Sequence, residues 1–235
     1  MNQNDMPELQ KNLEAVRSNI LRACEKSKRN PSEIALIGVT KTVEVDRIKM
    51  AYDLGLRKFG ENKAQELLRK KPGLPEDIEW HFIGNLQTNK VKSVVGQARM
   101  IQSVDRMPLV EALQKQAENQ ALTVDILLEV NASGEATKHG FAPEQVLQQA
   151  EQISRSFNKI NLRGLMTIGP LTEDKVQIAK AFRQTADLFK QCQQQSDWEQ
   201  WNCLSMGMSH DYELAIEAGA TMVRIGSAIF GDRKK

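Results

Sequence analysis

Cysteine is scarce in this chain of 235 residues: Cys24, Cys192 and Cys203 lie far apart, with no CxxC pair and no histidine at zinc-site spacing. That excludes a disulfide-stapled scaffold and leaves reduced, structural thiols as the expectation. Long apolar runs are missing as well. Stretches such as residues 34–39 and 126–128 fall far short of the roughly twenty residues a membrane span needs. No basic segment followed by an apolar one opens the chain, so no secretory signal is expected and the expected location is cytoplasmic. Charge of one sign is also lacking. Thirty-two Lys plus Arg stand against thirty Asp plus Glu, a net charge of +2, and the basic residues are mixed among acids. Neither a nucleic acid nor a membrane surface would find an electrostatic footprint here. Pro-, Gly- or Ser-rich linkers, low-complexity tracts and shifts of composition are absent, so residues 1–235 are expected to form one domain.

What is present is ordinary globular material, 40% hydrophobic and 26% charged, enough for a real core. Leu9, Leu13, Val16, Ile20 and Cys24 recur at steps of three and four, which predicts an amphipathic opening helix ending near Asn30 and Pro31. Residues 34–39 then form a continuous apolar run, the pattern of a strand buried on both faces. Further strands are predicted at 57–60, 80–83, 100–104, 123–130, 161–166, 203–206 and 221–225. Helical spacing is found at 43–54, 63–71, 89–95, 108–120, 143–156, 173–195 and 209–218. About eight strands alternating with helices in under 250 residues predict a parallel sheet closed into a (β/α)8 TIM barrel with an extra N-terminal helix. A doubly wound open sheet is the alternative.

In such a barrel the active face lies at the C-terminal strand ends. After the first strand comes Thr40-Lys41-Thr42, a lysine directly following a buried run. Desolvation favours the neutral amine, the form that attacks a carbonyl. Polar residues crowd other exits: Gly60-Glu61-Asn62-Lys63, then His81 to Lys90, then Asn131 to Phe141 with Lys138 inside it, then Thr167. Each of these can equally cap a helix or satisfy a loop. Strand seven runs into Ser205-Met206-Gly207-Met208-Ser209 and strand eight into Arg224-Ile225-Gly226-Ser227. Small residues and hydroxyls at helix starts leave backbone N–H groups facing outward, a phosphate cradle where barrels often build one. A lysine amine at one end of a cavity and a phosphate cradle at the other suit a phosphorylated aldehyde such as pyridoxal 5′-phosphate (PLP). Arg224 has no acceptor and stays protonated, so its partner on that ring would be an unprotonated pyridine nitrogen, a weak electron sink.

Val39-Thr40-Lys41-Thr42, Phe59-Gly60-Glu61-Asn62, His81-Phe82-Ile83-Gly84 with Leu86-Gln87 and Asn89-Lys90, Gly164-Leu-Met166, Ser205-Met-Gly-Met-Ser209 and Val223-Arg-Ile-Gly226 together resemble the pyridoxal phosphate homeostasis proteins, also called PLP-binding proteins. The likeness runs in order over nearly the whole chain. It implies a barrel like the N-terminal domain of alanine racemase that binds PLP without established catalytic turnover. It implies that Lys41 is the Schiff-base lysine and Arg224 the partner of the pyridine nitrogen. It places Asn62 near the ring hydroxyl, and Ser205, Met206, Gly207, Ser209, Gly226 and Ser227 around the phosphate. Lys138 is a possible secondary PLP lysine, the alternative being a solvated loop lysine. His81 either belongs to the site or satisfies polar groups of the core, and His210 is given no role. No metal is expected.

A racemase needs a proton donor or acceptor on each face of the substrate, and Lys41 serves one. Alanine racemases use a tyrosine from a further domain, and Tyr52 and Tyr212 are the only tyrosines in this chain. The reading is therefore a carrier that holds PLP and supports PLP and amino-acid balance, with PLP-dependent apo-enzymes as possible recipients. The default oligomeric state is a monomer. The alternatives are a weak PLP-dependent amino-acid racemase or lyase, and a cofactor-free Schiff-base aldolase acting on a sugar phosphate.

Overall fold

A computed structural model describes residues 5–132, 139–195 and 200–231. Eight strands, β1 (Ala35–Val39), β2 (Lys58–Glu61), β3 (Glu79–Phe82), β4 (Met100–Val104), β5 (Val124–Val130), β6 (Ile160–Thr167), β7 (Cys203–Ser205) and β8 (Met222–Ile225), close in chain order into a barrel. Every neighbouring pair is parallel, and the seam is β1 against β8, with Ile37 opposite Arg224. All seven residues of β5 and all five of β4 are buried. That burial extends to their polar members, Gln102, Ser103, Asp125 and Glu129, so these strands show no solvent-facing side. The expected (β/α)8 barrel is therefore the observed one.

The helices around it are α1 (Asp5–Ser27), α2 (Val45–Asp53), α3 (Ala64–Lys70), α4 (Met107–Asn119), α5 (Pro143–Ser156), α6 (Lys175–Gln195), α7 (Tyr212–Ala218) and the four-residue α8 (Ser227–Phe230). The extra helix α1 buries Leu9, Leu13, Val16, Ile20 and Cys24, the stripe its spacing predicts. Each such leucine or isoleucine contributes roughly 1.5–3 kcal/mol on burial. Asn12 Nδ2 donates to the Ile229 carbonyl at 3.2 Å and Arg29 Nη1 to the Ile216 and Ala220 carbonyls at 2.9 and 2.6 Å. The helix is thereby tied to α7 and α8, over the strands that carry Arg224 and its neighbours.

Two predicted helices differ. The segment expected as a helix over 89–95 is a 3-10 helix, Thr88–Ser93, in which Val91 is the one buried residue, too narrow a stripe to hold an α-helix against the barrel. The helix expected from 209 starts at Tyr212, because Met208 N donates to Asp211 Oδ1 at 2.5 Å and holds residues 208–211 as a loop. β2 ends one residue later than predicted, which brings Glu61 into the strand and buries it completely. In β6, Gly164 sits at φ +144°, and a Cβ there would lie 1.9 Å from the Cys203 carbonyl oxygen. Glycine is required at this point, close to where the β5–β6 register shifts.

Candidate binding site at the mouth of the barrel

Lys41 stands half-buried in the turn directly after β1. Thr40 before it is fully buried, and Val43 N closes the turn onto the Thr40 carbonyl at 2.8 Å. Thr42 after it sits at φ +64°. This is a left-handed conformation that costs a β-branched residue on the order of 1–3 kcal/mol and persists only where the surroundings impose it. Those surroundings are a cluster that the sequence does not advertise. Lys70 of α3 and Glu61 of β2 are both wholly buried and paired at 2.5 Å. Lys70 Nζ also donates to the Thr40 carbonyl at 2.8 Å and to Glu66 Oε2 at 3.0 Å. Thr40 Oγ1 donates to Glu61 Oε1 at 2.7 Å, and Thr42 N donates to Glu66 Oε2 at 3.1 Å. Burial pushes the Glu66 carboxyl up, but the Lys70 hydrogen bond and the Thr42 amide outweigh it and hold it below the usual carboxylate range.

Arg224, at the neighbouring strand across the seam, is 4% exposed. Nη1 donates to Ser205 Oγ at 2.6 Å and Nη2 to the Thr167 carbonyl at 2.9 Å. Burial lowers its pKa to about 10, against the opposing pull of Glu129 and Asp211, so the guanidinium is charged at neutral pH. From Ser205 a directed chain runs into the barrel. Its hydroxyl donates to Gln102 Oε1 at 2.7 Å, and Gln102 Nε2 lies 2.9 Å from His81 Nδ1. An amide nitrogen can only donate, so His81 Nδ1 accepts and the ring proton sits on Nε2, a buried atom with no partner among the described residues. Burial, helped by Lys58, pushes His81 down to about 4, which keeps the ring neutral.

Ser205 is thus committed to Arg224 and Gln102, holding the guanidinium rather than offering its hydroxyl outward. Met206 is a fully buried core residue, and its amide donates to the Met222 carbonyl at 3.1 Å. Gly207, at φ +93°, leaves no room for a side chain: a Cβ would meet Tyr212 Cα at 2.8 Å and Ala215 Cβ at 2.6 Å. Its carbonyl accepts Arg224 N at 3.0 Å. Ser209 Oγ accepts from Gly226 N at 3.2 Å and Ala228 N at 3.3 Å, and so joins the loop after β7 to the start of α8, where Ser227 is half-buried. Asn62 is half-buried, and its Oδ1 is a buried acceptor with no partner among the described residues. Lys138 lies outside the described residues.

Beside these groups, a cavity of about 540 Å³ is lined by Asn62, Phe82, Asn85, Leu86, Lys90 and His139, among others. Of the site residues expected from the sequence, Asn62 alone lines it. His139 bridges Asn85, at 3.0 Å, and Asp105, at 3.4 Å, on its rim. Glu129 of β5 is buried, and that burial, reinforced by Asp105, raises its pKa to about 7. The two tyrosines point elsewhere. Tyr212 OH accepts from Asn19 of α1 at 2.9 Å, and Tyr52 OH bonds Asp77 at 2.7 Å, ahead of β3 at the opposite end of the barrel. Gln102 was legible only as a polar residue inside an apolar run. Lys70 carried no signal beyond an ordinary i,i+4 pairing with Glu66.

The barrel and its mouth define a class. The alanine racemase N-terminal domain family model matches residues 12–234. The chain belongs to the pyridoxal phosphate homeostasis proteins within it. It is 42% identical over 223 residues to the pyridoxal phosphate homeostasis protein of Aquifex aeolicus, covering 94% of this chain and 97% of that one. A crystal structure of an unknown protein from Bifidobacterium adolescentis superposes with a TM-score of 0.94 at 34% identity, covering 98% of this chain and 97% of that chain. PipY of Synechococcus elongatus, in its structure with PLP bound, superposes with a TM-score of 0.82 at 32% identity, covering 95% and 100%.

Proposed function

We propose that this chain binds PLP, holds it as a Schiff base on Lys41, and serves intracellular PLP homeostasis and amino-acid balance without established catalytic turnover. When bound, PLP supplies an aldehyde whose carbon bonds the lysine nitrogen while the carbonyl oxygen leaves as water. The observation that carries the reading is Arg224: a buried cation, fixed by Ser205 and Thr167, on the strand next to the one that ends at Lys41. A permanently charged donor there suits an unprotonated ring nitrogen and disfavours the electron withdrawal that most PLP catalysis uses. It also favours PLP over a sugar phosphate, which offers no ring nitrogen.

The other residues fit the same ligand. The orphaned Asn62 Oδ1 would accept a ring hydroxyl. Ser209, with the amides of Gly207 and Ser227, would receive the phosphate, while the Gly226 amide, which donates to Ser209 Oγ, would hold that serine in place, and Ser205 and Met206 would act from behind as supports. PipY, a relative at 32% identity, is described with PLP bound, which supports the cofactor assignment. Tyr52 and Tyr212 each bond a partner outside the site, which supports the carrier reading over one in which either serves as a racemase tyrosine. Lys138 is proposed as a secondary acceptor of PLP, the carrier as a monomer in the cytoplasm, and PLP-dependent apo-enzymes as its recipients. No described helix is long and apolar enough to cross a membrane.

The test has two arms. Protein loaded with PLP is mixed with a PLP-dependent apo-enzyme, whose activity should return. The loaded protein is also incubated with small amino acids in deuterium oxide, where the Cα proton should remain. Deuterium incorporation at Cα would replace the carrier reading with the racemase.

A further inference from the structure

A fully buried lysine paired with carboxylates is a costly arrangement whose net stability is small, since the desolvation of the charges offsets their attraction. Three charged groups, Lys70, Glu61 and Glu66, converge in this barrel on a turn of four residues. Among the described residues, their side chains bond that turn and, through Glu61, the Asn62 amide at the end of β2. Lys70 Nζ holds the Thr40 carbonyl, Glu61 holds the Thr40 hydroxyl and the Asn62 amide, and Glu66 holds the Thr42 amide. Thr40 and Thr42 are the two residues flanking Lys41. The Thr42 backbone is in the left-handed region, where a threonine stays only if held.

We propose that Glu61, Glu66 and Lys70 form a clamp that fixes the turn on both sides of Lys41 and so presents its amine to the aldehyde, which makes them positioning residues of the site. The clamp rests on the reading of Lys41 as the residue that bonds PLP. Loosened at Glu66 or at the Thr40 hydroxyl, it acts on formation of that bond rather than on the fit of the ring and phosphate, because those contacts touch neither Asn62 nor the Arg224 side of the mouth. The same cluster gives Asn62 a fixed place, since Glu61 Oε2 accepts its amide at 3.1 Å.

The test uses the full chain and two ligands, PLP and pyridoxine 5′-phosphate, which lacks the aldehyde and cannot bond a lysine. Glu66→Ala removes an acceptor from Thr42 N and from Lys70. It should weaken PLP binding by about tenfold, the usual consequence of losing a charged hydrogen bond. Borohydride trapping at Lys41 should slow by a similar factor, while the affinity for pyridoxine 5′-phosphate stays within about twofold. Glu66→Gln keeps a carbonyl acceptor for Thr42 N and should restore most of the PLP affinity. If Glu66→Ala fails to fold, Thr40→Val, which removes the hydroxyl donor to Glu61 at nearly constant volume, should show the same split between ligands. Trapping at the wild-type rate in these variants would overturn the clamp, and so would an equal loss of both ligands, which marks a merely structural role. Absence of trapping at Lys41 in the wild-type chain would instead overturn the reading of Lys41 itself, and the clamp with it.

Discussion

Replacing Gln102 with methionine tests the buried chain that holds Arg224. The side chain is fully buried, accepts the Ser205 hydroxyl at 2.7 Å and faces His81 Nδ1 at 2.9 Å. Methionine matches its length but offers neither group, leaving a hydroxyl proton and a ring nitrogen unpaired in the core. Each such orphan costs about 1–3 kcal/mol, offset in part by the apolar burial of the new side chain. A net loss of about 2 kcal/mol is expected. At roughly 2–4 °C per kcal/mol for a chain of this size, the melting temperature should fall by about 4–8 °C. Urea unfolding gives the free energy directly. The double variant with Ser205→Ala removes one of the two orphans, so its cost should fall short of the sum of the single variants by about 1 kcal/mol. PLP affinity should drop severalfold as Arg224 loses its support. A Gln102→Met protein within about 0.5 kcal/mol of wild type, or a strictly additive cycle, would refute the chain as a structural unit.

Three further outcomes follow from the same geometry. His81 titrates at about 4 in the fold and near 6.5 when unfolded. Below pH 6.5 the unfolded chain therefore takes up a proton that the folded chain refuses, and stability falls with falling pH. The advantage of wild type over His81→Leu should shrink by about 2 kcal/mol between pH 7 and pH 5, and a constant difference in urea titrations would contradict this. Tyr212→Phe loses the hydrogen bond with Asn19, so it should cost about 1 kcal/mol and leave PLP loading unchanged; a loss of loading would place Tyr212 in the site. Gly164→Ala forces a Cβ to 1.9 Å from the Cys203 carbonyl and should cost more than about 4 kcal/mol, so that a soluble variant with a wild-type melting curve would refute the close approach.

The barrel was legible because its strands are buried on both faces and its helices are not. Residues 34–39 form an unbroken apolar run with no polar alternation to confuse with a helix, whereas Leu9 to Cys24 repeat at helical steps. Lys41, Asn62 and Arg224 could be singled out as candidates because a barrel puts its chemistry at strand ends. What position along the chain could not reveal is direction inside the barrel. Gln102 and His81 come from neighbouring strands and meet only when the barrel closes, and Ser205 turns toward Arg224 instead of outward. Lys70 lies in a helix rich in charge, where the ordinary expectation is a solvated side chain. It is buried against Glu61, which β2 carries because the strand lies one residue further along the chain than the expected 57–60. The 3-10 helix at Thr88–Ser93 was missed because a short polar stretch with one buried valine has nearly the same spacing as one turn of an α-helix.

The central claim is the bond between Lys41 and PLP. Purified protein should be loaded with PLP, its absorbance recorded before and after borohydride reduction, and the modified residue mapped by mass spectrometry, with Lys41→Ala as control. The account predicts a visible band that reduction abolishes and a pyridoxyl phosphate label on Lys41. A protein that stays colourless and unlabelled with PLP in excess would contradict it.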